Sequence, residues 1–155
     1  MEYKTFFKNK KYSLAEQKAA LCLSFPHSEC SIYKGRLHWT AAIKPTNLSR
    51  EYNAEILYQV SKPPEVYVFG DELQGLDREG FPHNYGVDVE NKRVKICLYR
   101  HKEFYSDKLL CDTIVPWIAE WLYFYEIWLA TGEWQGGGET PDIEKIIHKV
   151  SRYCA

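Results

Sequence analysis

One thiol sits inside the short apolar run Arg93-Val94-Lys95-Ile96-Cys97-Leu98-Tyr99. A cysteine in such a place is either a small buried hydrophobe or a nucleophile, and the choice decides whether the chain is an enzyme. Free cysteine is among the most frequently buried residue types, so packing is the simpler account of Cys97 taken alone. Its setting favours chemistry. The preceding stretch is punctuated by Gly75, Gly80, Pro82, Asn84 and Gly86, and long connections of this kind often carry functional groups on a rigid scaffold. A thiolate there can accept an acyl group and pass it on, splitting one transfer into two easier steps.

Other side chains near Cys97 in sequence suit that chemistry. The amide N–H of Asn84 is the candidate donor to the negative charge that develops when an amine attacks a thioester. The competing reading is a turn residue, because Asn tolerates left-handed backbone. His83 is a candidate for orienting the loop or lowering the thiol pKa, against a structural role with its ring paired to backbone. His101 and Asp107 follow the cysteine and are candidates for helping deprotonate an incoming amine, against solvent-facing or capping roles. Tyr85 and Tyr99 read as packing walls or a gate around the thiol.

The elements that must position these residues are partly legible. Ser13 and Glu16 form a capping box for a helix over about 13–24, which Pro26 stops. Strands are expected over 28–33, 37–43, 52–60 and 65–69, closed in turn by Lys34-Gly35, Lys44-Pro45 and Pro63-Pro64. Patterning fades from Gly70 to Asn91, and Val94 to Tyr99 reads as a short extended segment. A second helix is expected from about Lys108 to Thr131, capped by Ser106 or Asp107 and ended by Gly132. Trp134 to Gly138 reads as a flexible joint before a last helix that Pro141 opens. The expected class is α+β: an N-terminal helix, a four-stranded antiparallel meander, an active-site loop and long C-terminal helices.

Composition excludes several functions. The 155 residues are expected to form one domain, 1–155, with 132–155 as an extension, and carry a net charge of −1 with no extended basic cluster. A nucleic-acid partner would require clustered cations, so none is expected. The five cysteines (Cys22, Cys30, Cys97, Cys111 and Cys154) show neither disulfide nor zinc spacing. Cys22, Cys111 and Cys154 read as helical packing thiols. The apolar segment from Ile114 to Ala130 is broken by Pro116, Glu120 and Glu126, which suits a core helix and not a membrane span. No signal peptide is evident, so a reduced cytoplasmic setting is expected. The Gly136-Gly137-Gly138 run lacks the Lys and Ser/Thr of a phosphate-binding loop.

Taken in order, these motifs resemble the ubiquitin-conjugating (UBC) family over roughly residues 13–130. The carriers are Leu37-His38-Trp39, Tyr52 to Ile56, Pro63-Pro64-Glu65-Val66, Pro82-His83-Asn84 and Ile96-Cys97-Leu98. The local order is Pro-His-Asn where the family has His-Pro-Asn, and Phe104-Tyr105 stands where a Trp is usual. These departures are similar to those of the stand-alone conjugating enzymes of type II CBASS antiphage operons. The resemblance implies that Cys97 holds a protein C-terminus as a thioester and hands it to an amine. It implies a cGAS-like nucleotidyltransferase (CD-NTase) as acyl donor, an activating enzyme as a possible further partner, and no cofactor of the chain's own. The rival readings are a catalytically silent UBC-like binding module, in which Cys97 only packs, and a Cys/His/Asn hydrolase.

Overall fold

The computed structural model describes residues 10–98 and 104–137. Helix α1 (Leu14–Ser24) starts at the expected capping box: the Ser13 hydroxyl accepts from the Glu16 amide, and the Glu16 carboxylate accepts from the Ser13 amide. Six strands follow: β1 (Glu29–Tyr33), β2 (Arg36–Ile43), β3 (Tyr52–Tyr58), β4 (Glu65–Phe69), β5 (Asn84–Asp88) and β6 (Arg93–Ile96). Helix α2 (Ile114–Thr131) is the last regular element among the described residues. The strands form one antiparallel sheet in the order β1-β2-β3-β4-β6-β5.

The expected four-stranded meander is thus six strands. The added pair is a hairpin, β5–β6, whose turn is held by Asp88: its carboxylate accepts from the amide and the side chain of Asn91. Because the hairpin folds back, β6 and not β5 lies against β4, pairing Tyr67 with Lys95 and Phe69 with Arg93. That crossover brings Cys97 to the interior of the sheet's pairing order.

Strand alternation sends one set of side chains to a common core. Leu37 and Trp39 of β2, Tyr52 to Tyr58 at every second position of β3, Val66 and Val68 of β4, and Val94 and Ile96 of β6 are buried together. Ile114, Ile118, Trp121, Leu122 and Tyr125 of α2 join the same cluster, as does Leu21 of α1. The stretch between β4 and β5 is also anchored. Leu73, Leu76 and Phe81 are buried, and the Tyr125 hydroxyl donates to the Gln74 carbonyl at 2.7 Å while accepting its amide at 2.8 Å.

Helix α2 begins at Ile114, six residues after the expected Lys108. Pro116 explains the shift: inside a longer helix it would remove a hydrogen bond and clash with the preceding turn, whereas in the first turn it costs nothing. Ser106 does not cap it. Its buried hydroxyl accepts from the Tyr58 hydroxyl at 3.1 Å and from the Ser61 amide at 2.9 Å. Cys111 lies in the turns before α2 and not within a helix, and it is buried. Gly132 ends α2 in the left-handed conformation at φ 78°, its amide donating to the Trp128 carbonyl.

The segment after α2 is close-packed up to Gly137, contrary to the flexible joint expected there. A Cβ on Gly136 would stand 2.7 Å from the Phe124 ring, and the Trp134 indole donates to the Gly137 carbonyl at 3.1 Å. The expected last helix and Cys154 lie outside the described residues. Among the described residues, no helix is long and apolar enough to cross a membrane.

Candidate functional site

Cys97 follows directly on β6, and the β5–β6 ladder continues one step past the strand to hold it. Asn84 is in register with Ile96, and the Cys97 amide donates to the His83 carbonyl at 2.9 Å. The same carbonyl accepts the indole N–H of Trp121 at 3.1 Å. Strand and helix therefore meet on one oxygen, and the thiol stands on backbone fixed from two sides. His83 adopts this geometry with a left-handed φ of 42°, which few side chains tolerate without cost.

The His83 ring is buried and lies 4.7 Å from the Trp134 ring, which in turn contacts Trp121 and Phe124. This stack ties the segment after α2 to the loop carrying the candidate site. Sequence reasoning had no route to it, since Trp134 lies 51 positions from His83 and belongs to no periodic pattern.

Asn84 opens β5, and its side-chain Nδ2 donates back to the Phe81 carbonyl at 2.7 Å. The bond uses one of the two amide hydrogens. His83, Asn84 and Cys97 are thus brought together at one end of the β5–β6 ladder. His101 and Tyr99 lie outside the described residues. Asp107 is described, and it sits in the turn where the Lys108 amide donates to the Tyr105 carbonyl.

The Cys97 thiol is half-buried. Its sulfur lies 3.3 Å from the Tyr85 hydroxyl, with the S–H donating. Tyr85 is the extra residue of a β-bulge: Asn84 faces Ile96, Gly86 faces Lys95, and the register shifts between them. Bulges re-aim side chains in this way. The residue had read as a packing wall, and its signal was Gly86, because an isolated glycine in a strand commonly marks a bulge.

Beside the thiol, an ion-pair ladder crosses β2, β3, β4 and β6. Lys95 bonds Glu65 at 3.1 Å, Arg36 bonds the other Glu65 oxygen at 2.9 Å, and Arg93 pairs with Glu55, which also bonds His38 at 2.7 Å. Burial alone would raise the Glu55 carboxyl, but hydrogen bonds from Arg93 and His38 outweigh it and leave the group below its usual value. The Arg93 guanidinium also stacks 3.9 Å from the Tyr67 ring centre.

An open cleft of about 350 Å³ is lined by Leu48, Ser49, Arg50, Tyr52, Glu126, Leu129 and Ala130, none of them a neighbour of Cys97. Glu126 accepts there from the hydroxyls of Ser49 and Tyr52 at 2.7 and 2.9 Å. Burial and the bond to that carboxylate push the Tyr52 phenol far above its ordinary pKa. Among the described residues, no group of three or more His, Cys, Asp or Glu is arranged to hold a metal.

Comparison with curated proteins returns no match. Among protein families, the chain matches the type II CBASS E2 protein over residues 17–141, a span that takes in most of α1, all six strands and α2. By that match the chain belongs to the type II CBASS E2 family, whose role is E2-like conjugation within CBASS.

Proposed function

We propose that Cys97 carries a protein C-terminus as a thioester and transfers it to an amine, and that the fold is a UBC-like domain spanning 1–155 with 132–155 as an extension. The observation that carries this reading is the setting of the thiol in a chain of this family. It is half-buried, its amide is held by His83, and its sulfur is within hydrogen-bond reach of a phenol.

In the first step Sγ attacks the carbonyl carbon of an activated C-terminus. The C–S bond forms as the activating enzyme's leaving group departs, so ATP is consumed by that partner and the chain needs no cofactor. In the second step an amine attacks the same carbon. The amide bond forms, the C–S bond breaks with its electron pair returning to Sγ, and the surplus amine proton passes to a base or to solvent. The second Nδ2 hydrogen of Asn84 serves the tetrahedral oxyanion; loss of such a donor typically slows a reaction about 100- to 1,000-fold. His101 is assigned to the amine proton, and His83 acts through its carbonyl as the support of the thiol. The acyl donor is the C-terminus of the CD-NTase, and the setting is cytoplasmic.

The test is intact-mass analysis of the protein co-expressed with its operon neighbours. Wild-type protein is expected to carry an adduct on Cys97 that hydroxylamine removes. Cys97→Ser should convert it to a thiol-resistant ester, and Cys97→Ala should carry none. An adduct persisting in Cys97→Ala would move the chemistry to another residue, and no adduct in any sample would leave a protein-binding module.

A further inference from the structure

The bulge in β5 places a phenol on the sulfur by construction. Asn84 keeps register with Ile96 and Gly86 with Lys95, so the extra residue between them is thrust out of the ladder toward Cys97. The Lys95 ammonium, itself anchored to Glu65, lies 5.9 Å from the centre of the Tyr85 ring. A cation over a phenol ring withdraws electron density and strengthens its O–H as a donor.

We propose that Tyr85 is the hydrogen-bond donor that holds the Cys97 sulfur in its anionic form, first as nucleophile and again as leaving group. The assignment to both steps rests on the acyl-transfer reading; the contact with the sulfur does not. With the thiol neutral, S–H donates to the phenol oxygen at 3.3 Å. When the thiol loses its proton to solvent, the phenol rotates its hydrogen and donates to S⁻ across the same distance. The phenol keeps its own proton while it donates, so the contact creates no second charge. During aminolysis the electron pair of the breaking C–S bond arrives on the same sulfur and meets the same donor. A hydrogen bond to the charged form favours that form, and such bonds are stronger than neutral ones.

The experiment is site-resolved alkylation of the full chain with iodoacetamide across pH 6–11, read by mass spectrometry at the Cys97 peptide, with exposed Cys22 as internal reference. Tyr85→Phe keeps the ring and removes the hydroxyl. It is expected to move the Cys97 midpoint up by about one to two pH units, while the Cys22 profile stays in place. Tyr85→Leu, which also lacks the hydroxyl, should give the same shift. An unchanged Cys97 midpoint in Tyr85→Phe overturns the proposal, and a shift in Tyr85→Leu alone traces to packing and overturns it too. Single-turnover aminolysis in Tyr85→Phe is expected to slow by about 10- to 100-fold. If wild-type protein never forms an adduct yet Tyr85→Phe shifts the alkylation midpoint, the acyl-transfer reading fails while the phenol–thiolate contact stands.

Discussion

The Trp121 indole N–H and the Cys97 amide converge on the carbonyl of His83, at 3.1 and 2.9 Å. A residue in the middle of α2 thus sets the height of the backbone on which the thiol stands. Packing of the helix and position of the sulfur are one adjustment and not two.

Trp121→Phe keeps an aromatic ring in the core but leaves the His83 carbonyl with one donor. A loss of about 1–2 kcal/mol in urea unfolding is expected. The sharper readout is hydrogen exchange at the Cys97 amide, which should accelerate more than amides in β2 and β3. Equal acceleration throughout the sheet would mean that the indole acts only through global stability.

Gln17 is expected to matter as much as a core aromatic. It is fully buried in α1, where its Nε2 donates to the Lys108 carbonyl at 2.8 Å and its Oε1 accepts the Leu110 amide at 2.9 Å. Gln17→Leu fills similar volume and strands two buried backbone groups, which should cost about 2–4 kcal/mol. Urea unfolding measures it, and a loss under about 1 kcal/mol would show the turn relaxing to find other partners.

These cases mark where the sequence is readable. Strands β2 to β4 and α1 announce themselves because one face of each of these strands alternates into the core and Ser13–Glu16 is a self-contained cap; β1 has no buried position and is marked by the Lys34-Gly35 turn that closes it. Strand β5 has no buried position at all, and Gly86 and the bulge at Tyr85 break its period, so no alternation is there to read. The start of α2 was masked by polar residues that look like caps, although Pro116 carried the right signal. Cys97, Asn84 and His83 stand out in the sequence by residue type and order, and the fold brings the three together at one end of the β5–β6 ladder. Trp121 and Trp134 reach the site through tertiary contacts, which no local pattern encodes, whereas Tyr85 had the isolated Gly86 to mark its bulge.

Gly136→Ala should loosen the segment after α2. Its added methyl would meet the Phe124 ring, and overpacking of this kind typically costs about 1–3 kcal/mol. The expected local effect is loss of the Trp134–His83 stack, visible as changed ring-current shifts of the His83 imidazole in proton NMR. Unchanged shifts would mean that Phe124 moves aside and the stack survives.

Acid should weaken the fold partly through Glu55. Its folded pKa is lowered, so its contribution is present above the ordinary carboxylate value and is lost as pH falls through the folded one. Glu55→Gln should flatten the fall in urea midpoint between pH 5 and about pH 3. At the alkaline end the sign reverses for Tyr52. Its phenol is raised, so its contribution is full below pH 10 and declines as pH climbs past it. Tyr52→Phe should remove that alkaline decline, and an unaltered slope in either variant would remove the group from the account.

Cysteine labelling at pH 8 should separate the thiols by environment. Burial, with a contribution from neighbouring Cys22, pushes Cys30 up to about 11, so only about 0.1% of it is thiolate at that pH. Exposed Cys22 should be modified ahead of Cys30 and buried Cys111, which should lag it by at least tenfold. Rapid labelling of Cys30 would indicate that β1 opens from β2 far more often than its pairing suggests.

The left-handed backbone at position 83 also sets which residues can drift into that place over generations. With φ at 42°, the chain accepts Gly, Asn or Asp there more readily than any β-branched residue. What selection must preserve is a carbonyl aimed at Trp121 and Cys97, and any residue comfortable in that bend supplies one. The ring 4.7 Å from Trp134 is a second constraint on the same position, and lineages should exchange His83 and Trp134 together sooner than either alone.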